Sequence, residues 1–166
     1  MILQDEQILL RPLAEADVST VAEACQDSDI QRWLSALPFP YGEEDARTFI
    51  QSATDARAIT DAATGELLGC IGWDEVDQGN LQIGYWVKRE ARGRGVATRA
   101  LSLLARWALE ERGSPRAQLL AEPGNVASCR VAEKAGFRRE GLLRSYLDFK
   151  GERRDVLMFS LLAEDL

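Results

Sequence analysis

Two glycines one residue apart, Gly93 and Gly95, sit among arginines in KREARGRGVATRAL, residues 88–101, after an apolar run and ahead of a helical one. Glycines so spaced let backbone N–H groups approach an anion, and the following helix N-terminus adds partial positive charge. The arrangement suits a pyrophosphate. A Walker A loop would need GK[ST] at its end, and a Rossmann loop a third glycine where Thr98 stands. No histidine occurs in the chain, which removes the commonest general base, the Ser/His and Cys/His nucleophile pairs, and most zinc or iron sites. Cys25, Cys70 and Cys129 are odd in number and widely spaced, so they offer neither a disulfide framework nor a CxxC metal site and read as small core residues. Any chemistry must use other groups.

Periodicity and turn signals give the elements that must position this loop. ILLRPL, residues 8–13, reads as a short strand, and AEADVSTVAEACQ follows with Val18, Val21, Ala22 and Cys25 at helical spacing. A helical piece around IQRWLSAL stops at PFPYG, where Pro38 and Pro40 cannot continue it, and GEEDARTFIQSA restarts with acids in its first turn. RAITD, ELLGCIGWDEV and LQIGYWV, separated by AATG and DQGN, read as an antiparallel meander whose last strand leads into the loop. VATRALSLLARWALEER is helical, with Ala97, Leu101, Leu104 and Ala108 on one face, and Gly113 and Pro115 end it. AQLLAE then reads as a strand, NVASCRVAEKAG as a helix from Asn125 to Gly136, and FRREGLLRSYLDF with RRDVLMFSLL as a closing hairpin across KGE. One strand–helix–strand crossover thus interrupts an otherwise antiparallel sheet. A dinucleotide fold would alternate strand and helix from its start, which this chain does not.

At 166 residues, 46% apolar and 28% charged, with no repeat or low-complexity tract, the chain reads as a single globular domain over 1–166. The N-terminal MILQDEQILL is acidic where a signal peptide is basic, and no apolar run approaches the roughly 18 residues of a membrane span, so a cytoplasmic protein without a membrane partner is expected. The net charge of −7 argues against direct nucleic-acid binding. Its distribution is uneven: residues 1–87 carry 4 basic and 16 acidic side chains, and residues 88–154 carry 16 and 8. A basic half suits an anionic ligand and an acidic half a cationic one.

These residues together resemble the GNAT superfamily of acetyl-CoA-dependent N-acetyltransferases, over nearly the whole chain. The family signature Q/R-x-x-G-x-G/A is met by Arg92, Gly93, Arg94, Gly95, Val96 and Ala97, placed after a strand and opening a long helix. NVASCRVAEKAGFRREG is similar to the family's next strand-to-helix region, and IGYWV, NxxS, EKAGF and RRDVLMFSLL resemble most closely the RimJ/RimL branch, which acetylates the α-amine of ribosomal proteins. The resemblance implies an α/β (α+β) fold: a mixed, mostly antiparallel sheet of about seven strands, helices on both faces, and a splayed parallel strand pair. It implies acetyl-CoA as cosubstrate, no metal, and a protein or peptide N-terminus as the acceptor amine for a monomer or homodimer.

Site residues follow from the same resemblance. Main-chain groups of Trp86, Val87 and Lys88 would pair with the pantetheine arm and polarise the thioester. The backbone of Arg92 through Ala97 and the Thr98 hydroxyl would hold the pyrophosphate, with Arg92, Arg94, Arg99 or Lys134 near the adenosine phosphates. Asn125 would bond the pantetheine and Ser128 would protonate the departing sulfur, although Asn is also a good N-cap and a first-turn Ser is unremarkable. Many relatives place a tyrosine acid four residues past Ser128; here that residue is Ala132, and Tyr146 is the fallback. Where many carry a glutamate base, this chain has Gln82, so Glu75 or Asp74 acting through water would substitute. Lack of a strong base favours an α-amine, of pKa about 7.7 to 8.0, over a lysine of about 10.4. Trp33, Tyr41 and Trp73 are the aromatic candidates on the acceptor side, alongside Phe39, Glu43 and Asp45. Acetylation of a small amine such as a polyamine, amino acid or antibiotic, and a non-catalytic coenzyme A sensor, are the competing readings.

Overall fold

The computed structural model describes residues 1–166. Alternation sets the first strands: Ile8 and Leu10 are fully buried in β2 (Ile8–Arg11), while Leu9 and Arg11 between and after them are half-buried. A two-residue strand, β1 (Leu3–Gln4), pairs antiparallel with β2. It lies outside the run expected as the first strand and raises the count from about seven to eight. The remaining elements are α1 (Val18–Ala24), α2 (Ser28–Trp33), α3 (Glu43–Ser52), β3 (Ala56–Asp61), β4 (Leu67–Glu75), β5 (Leu81–Val87), α4 (Val96–Arg106), β6 (Ala117–Ala121), α5 (Val126–Lys134), β7 (Arg138–Phe149) and β8 (Glu152–Leu161). The strands form one mostly antiparallel sheet in the order β1-β2-β3-β4-β5-β6-β8-β7, with one parallel pair, β5 and β6, and helices flanking it.

By density of contact the chain forms two compact units, Met1–Gly72 with Tyr85–Val96, and Trp73–Gly84 with Ala97–Leu166. In the first, Val18, Val21 and Ala22 of α1 pack with Ala46 of α3, Ile30 of α2, Ala58 of β3, Cys70 of β4 and Trp86 of β5. Asp17, 5% exposed, is held there by two 2.8 Å bonds from the Arg11 guanidinium and one from the Ala14 N–H, so this buried charge is paired and hydrogen-bonded. β4 and β5 approach closely at Gly69, where an added Cβ would collide with the Trp86 carbonyl. In the second unit, Leu101, Leu104, Ala105 and Ala108 bury the apolar face of the long helix, and Leu119, Val156, Phe159 and Leu161 are buried on β6 and β8.

Two expectations are revised in detail. The second helix ends at Trp33, with Leu34 already extended, rather than running on to Pro38. The long helix changes to a π-turn over Trp107–Glu111, with the Arg112 N–H bonded to the Trp107 carbonyl at 2.9 Å. Local propensity cannot announce that extra residue in a turn; here Trp107 stacks obliquely on Trp73, centroids 5.2 Å apart.

Candidate active site

Gly93 and Gly95 both adopt left-handed φ, +74° and +79°, immediately before α4 begins at Val96. A Cβ at either would meet nothing within 4 Å. The glycines are therefore required by backbone conformation rather than by crowding, and the space before the helix N-terminus is open. That is what a pyrophosphate held by main-chain N–H donors needs.

The arginines around the loop hold it in place. Asp27, whose side chain is 9% exposed, caps α2 by accepting from the Asp29 N–H at 2.9 Å. The same carboxylate accepts from Arg89 Nη2 at 3.1 Å and Arg92 Nη2 at 2.8 Å. These guanidinium groups, with Arg89 foremost, pull its pKa down to about 2. Arg92 also reaches Asp29 at 3.3 Å and donates from Nε to the Val87 carbonyl at 3.1 Å. Lys88 pairs with Glu66 at 2.9 Å, while Arg94, half-exposed, stands 3.9 Å from Asp61. Arg92 and Lys88 are thus engaged within the protein. Arg94 is more loosely held, and Lys134 is exposed at the end of α5.

The strand contribution differs from the expected trio in one respect. The Lys88 N–H bonds to the Leu68 carbonyl of β4 at 2.8 Å, whereas the Leu81 N–H bonds to the Arg116 carbonyl ahead of β6 at 2.9 Å. Successive residues of a strand aim their main-chain groups to opposite sides. Odd-numbered residues, Val87 among them, therefore point as Leu81 does, while Trp86 and Lys88 point toward β4. The β5–β6 ladder contains only Leu81↔Ala117 and Gln82↔Gln118, so it stops long before β5 ends at Val87. Early termination of a parallel pair is the splay the resemblance implied.

In the second unit, Asn125 caps α5, its Oδ1 accepting from the Ser128 N–H at 3.2 Å. Asn125 and Ser128 are half-buried in one first turn, and Ala132, one turn further, is fully buried. The Ser128 hydroxyl is the group of the pair able to give a proton. Glu75, side chain 58% exposed, bridges Arg112 at 2.7 Å. Tyr146 is 50% exposed in an irregular stretch of β7, where Ser145 has φ +52° and Arg153 bonds to the Ser145 and Tyr146 carbonyls.

The aromatic candidates separate by burial. Tyr41 belongs to the core of the first unit and Trp73 is buried against Trp107, so both rings serve packing. Trp33 stays half-buried under the Arg32 guanidinium, 4.7 Å from its centroid, and Phe39 is 76% exposed. Cys25 and Cys70 are buried as expected, and burial pushes both thiols up to about 12, which keeps them unreactive. Cys129 is only half-buried, because it lies on the first turn of α5 rather than in the core. No helix is long and apolar enough to cross a membrane.

Sequence reasoning missed two features. Asp27 is one acid among many in the N-terminal half, and its link to Arg89 and Arg92, more than 60 residues away, leaves no trace at short range. The second is a row of polar side chains ending at Gln82, described below.

Comparison with known proteins places this geometry in a family. The acetyltransferase (GNAT) domain matches residues 7–138. An uncharacterized N-acetyltransferase of Bacillus licheniformis, p20, is 30% identical over 173 residues, covering 98% of this chain and 97% of its own. The ribosomal-protein-serine acetyltransferase of Escherichia coli is 26% identical over 149 residues, covering 84% of this chain and 83% of its own. Among solved structures, Mycobacterium smegmatis RimJ in complex with CoA-disulfide superposes with a TM-score of 0.82 at 25% identity, covering all of this chain and 88% of that one. With the glycine loop opening α4, the Asn–Ser turn opening α5 and the short parallel ladder, this chain belongs to the GNAT family of N-acetyltransferases.

Proposed function

We propose that the enzyme transfers an acetyl group from acetyl-CoA to the α-amine of a protein or peptide N-terminus, within a ternary complex. The observation that carries this reading is the loop at the start of α4, with Gly93 and Gly95 at positive φ, open space beside both, and its first arginine fixed by Asp27. The similarity to a ribosomal-protein-serine acetyltransferase supports a protein acceptor.

Bound acetyl-CoA supplies an activated acyl group with a thiolate as leaving group. The N–H groups of residues 93–97, with the Thr98 hydroxyl, hold its pyrophosphate, and Arg94 and Lys134 add charge at longer range. Val87 contributes the main-chain side of β5 on which Leu81 meets β6, while Asn125 fixes the first turn of α5. Ser128 carries the proton delivered to sulfur as the amine nitrogen bonds to the acyl carbon and the carbon–sulfur bond breaks. Glu75, paired with Arg112 at rest, receives the amine's surplus proton through water and becomes a neutral carboxylic acid, and solvent returns a proton to the Ser128 oxygen. A weak base suffices, because roughly one-tenth or more of an α-amine is already unprotonated at neutral pH. Tyr146, exposed on an irregular strand, is the alternative acid, and Trp33 with Phe39 forms the apolar side of the acceptor region.

Thiol release from acetyl-CoA, measured across Ala- and Ser-starting peptides, polyamines and aminoglycosides, tests the proposal. Peptides turning over with the highest kcat/KM are the expected result. Preference for polyamines or aminoglycosides would move the acceptor to a small molecule, and tight coenzyme A binding without turnover would make the protein a sensor.

A further inference from the structure

Gln82 occupies the strand position at which the family resemblance implies a carboxylate base, and its surroundings give it a defined orientation. Across the second unit runs one row of polar side chains. Gln82 on β5 is the register partner of Gln118 on β6, and Gln118 is the partner of Ser160 on β8, so all three project from one face of the sheet. Glu140 on β7 accepts both terminal nitrogens of Arg116, at 2.7 and 2.6 Å, and the Ser160 hydroxyl at 2.7 Å. Arg116 Nε then donates to Gln118 Oε1 at 3.0 Å, and Gln118 Nε2 donates to Gln82 Oε1 at 3.4 Å.

Directionality along this row is forced. A guanidinium can only donate, so the Gln118 group facing Arg116 must be its carbonyl oxygen. Gln118, 7% exposed, therefore turns its NH2 toward Gln82. Gln82 must meet that NH2 with its own oxygen, and the row ends on the Gln82 NH2 group. Two residues along β5 on the same face lies Gly84, exposed, with nothing within 4 Å of where a Cβ would stand. A glycine inside a strand marks a place where another backbone or a ligand can come close. Gln82 is half-buried beside that open floor.

We propose that Gln82 is a specificity-determining residue whose oriented NH2 group donates to the carbonyl oxygen next to the acceptor's amine. The assignment rests on the N-α-acetyltransferase reading and deepens it by naming the acceptor group recognised. An amide cannot take the amine's proton, but it complements a peptide N-terminus, whose first carbonyl lies one carbon from the reacting nitrogen. A polyamine offers only further ammonium donors, which leave the Gln82 NH2 without an acceptor.

The test compares kcat/KM for an Ala-starting peptide and for a simple alkylamine lacking a carbonyl, each as the ratio of wild type to variant. Gln82→Leu is expected to lose about 10-fold on the peptide and less than about 2-fold on the alkylamine. Gln82→Glu still accepts from Gln118 but offers only oxygen outward, so it loses the peptide preference in the same way without a volume change. Gln118→Glu leaves Gln82 in place while removing its donor neighbour. The Gln82 amide then turns to donate inward, and peptide turnover falls by a similar factor. Equal losses on both substrates in Gln82→Leu, or wild-type peptide turnover in Gln118→Glu, overturn the assignment while leaving the acetyltransferase reading intact. Absence of wild-type turnover with the peptide overturns both.

Discussion

In the loop before α4, the donors offered to a ligand belong to the main chain, and the charged side chains hold that main chain in place. In the row across β7, β8, β6 and β5, the offered donor is a side-chain amide, and the charged groups set which of its two ends faces outward. Each region is anchored by a carboxylate held near pKa 2 by arginine: Asp27 chiefly by Arg89, and Glu140 chiefly by Arg116 with help from Ser160. Asp27 gathers two arginines, whereas Glu140 gives both its oxygens to one. Arginine-rich sequence near an anion loop is therefore a poor guide to which cations meet the anion.

Of the two regions, the loop's main chain should be the more sensitive to substitution. Gly95→Val places a β-branched residue at φ +79° and a side chain in the open space before α4. A loss of about 100-fold or more in kcat/KM for acetyl-CoA is expected, with the Gln82-dependent peptide preference retained in whatever activity remains. Steady-state kinetics at varied acetyl-CoA concentration checks it, and unaltered kinetics would remove the loop from cofactor binding.

A smaller effect should come from Ser128→Ala. Its hydroxyl assists departure of a thiol that already leaves readily, so kcat should fall about 10- to 100-fold with little change in KM for acetyl-CoA. Tyr146→Phe, by contrast, should leave kcat within about 2-fold. Reversal of the two results would exchange their roles.

Asp27→Asn probes the anchor itself. Its folded pKa is depressed, so the stabilisation is fully present above the unfolded pKa near 4 and is lost as pH falls through about 2. Urea unfolding should show the variant about 1–2 kcal/mol less stable than wild type at pH 5 to 6, with the gap closing between pH 4 and 2. A gap independent of pH in that window would show that the carboxylate's charge does not anchor the arginines. Least affected should be Arg94→Ala, whose side chain is half-exposed and only loosely paired. KM for acetyl-CoA should rise about 2- to 5-fold at low salt and converge with wild type at high salt.

Much of this arrangement was legible in the chain itself, for reasons that operate at short range. Positive φ selects glycine, so Gly93 and Gly95 announced their turn. Asn125 announced a helix start, and the alternation of Ile8 and Leu10 announced a strand. Contacts across the fold were not legible. The burial of Tyr41 and Trp73 is one such case, because an aromatic residue has the same sequence signature in a core as in a groove. The π-turn opens at Trp107, whose ring meets that of Trp73, 34 residues away, and β1 is too short to carry a period.

By itself, then, the sequence determined the loop's backbone, the order of the elements and the absence of histidine chemistry, because each depends on residue type or near-neighbour spacing. Only the tertiary structure decided which arginines are occupied, which side of β5 meets β6, and which end of the Gln82 amide faces outward. Those depend on hydrogen-bond partners brought together from residues 27, 89 and 92 in one region and from 82, 116, 118, 140 and 160 in the other. A donor or acceptor acquires its direction only from the group it meets.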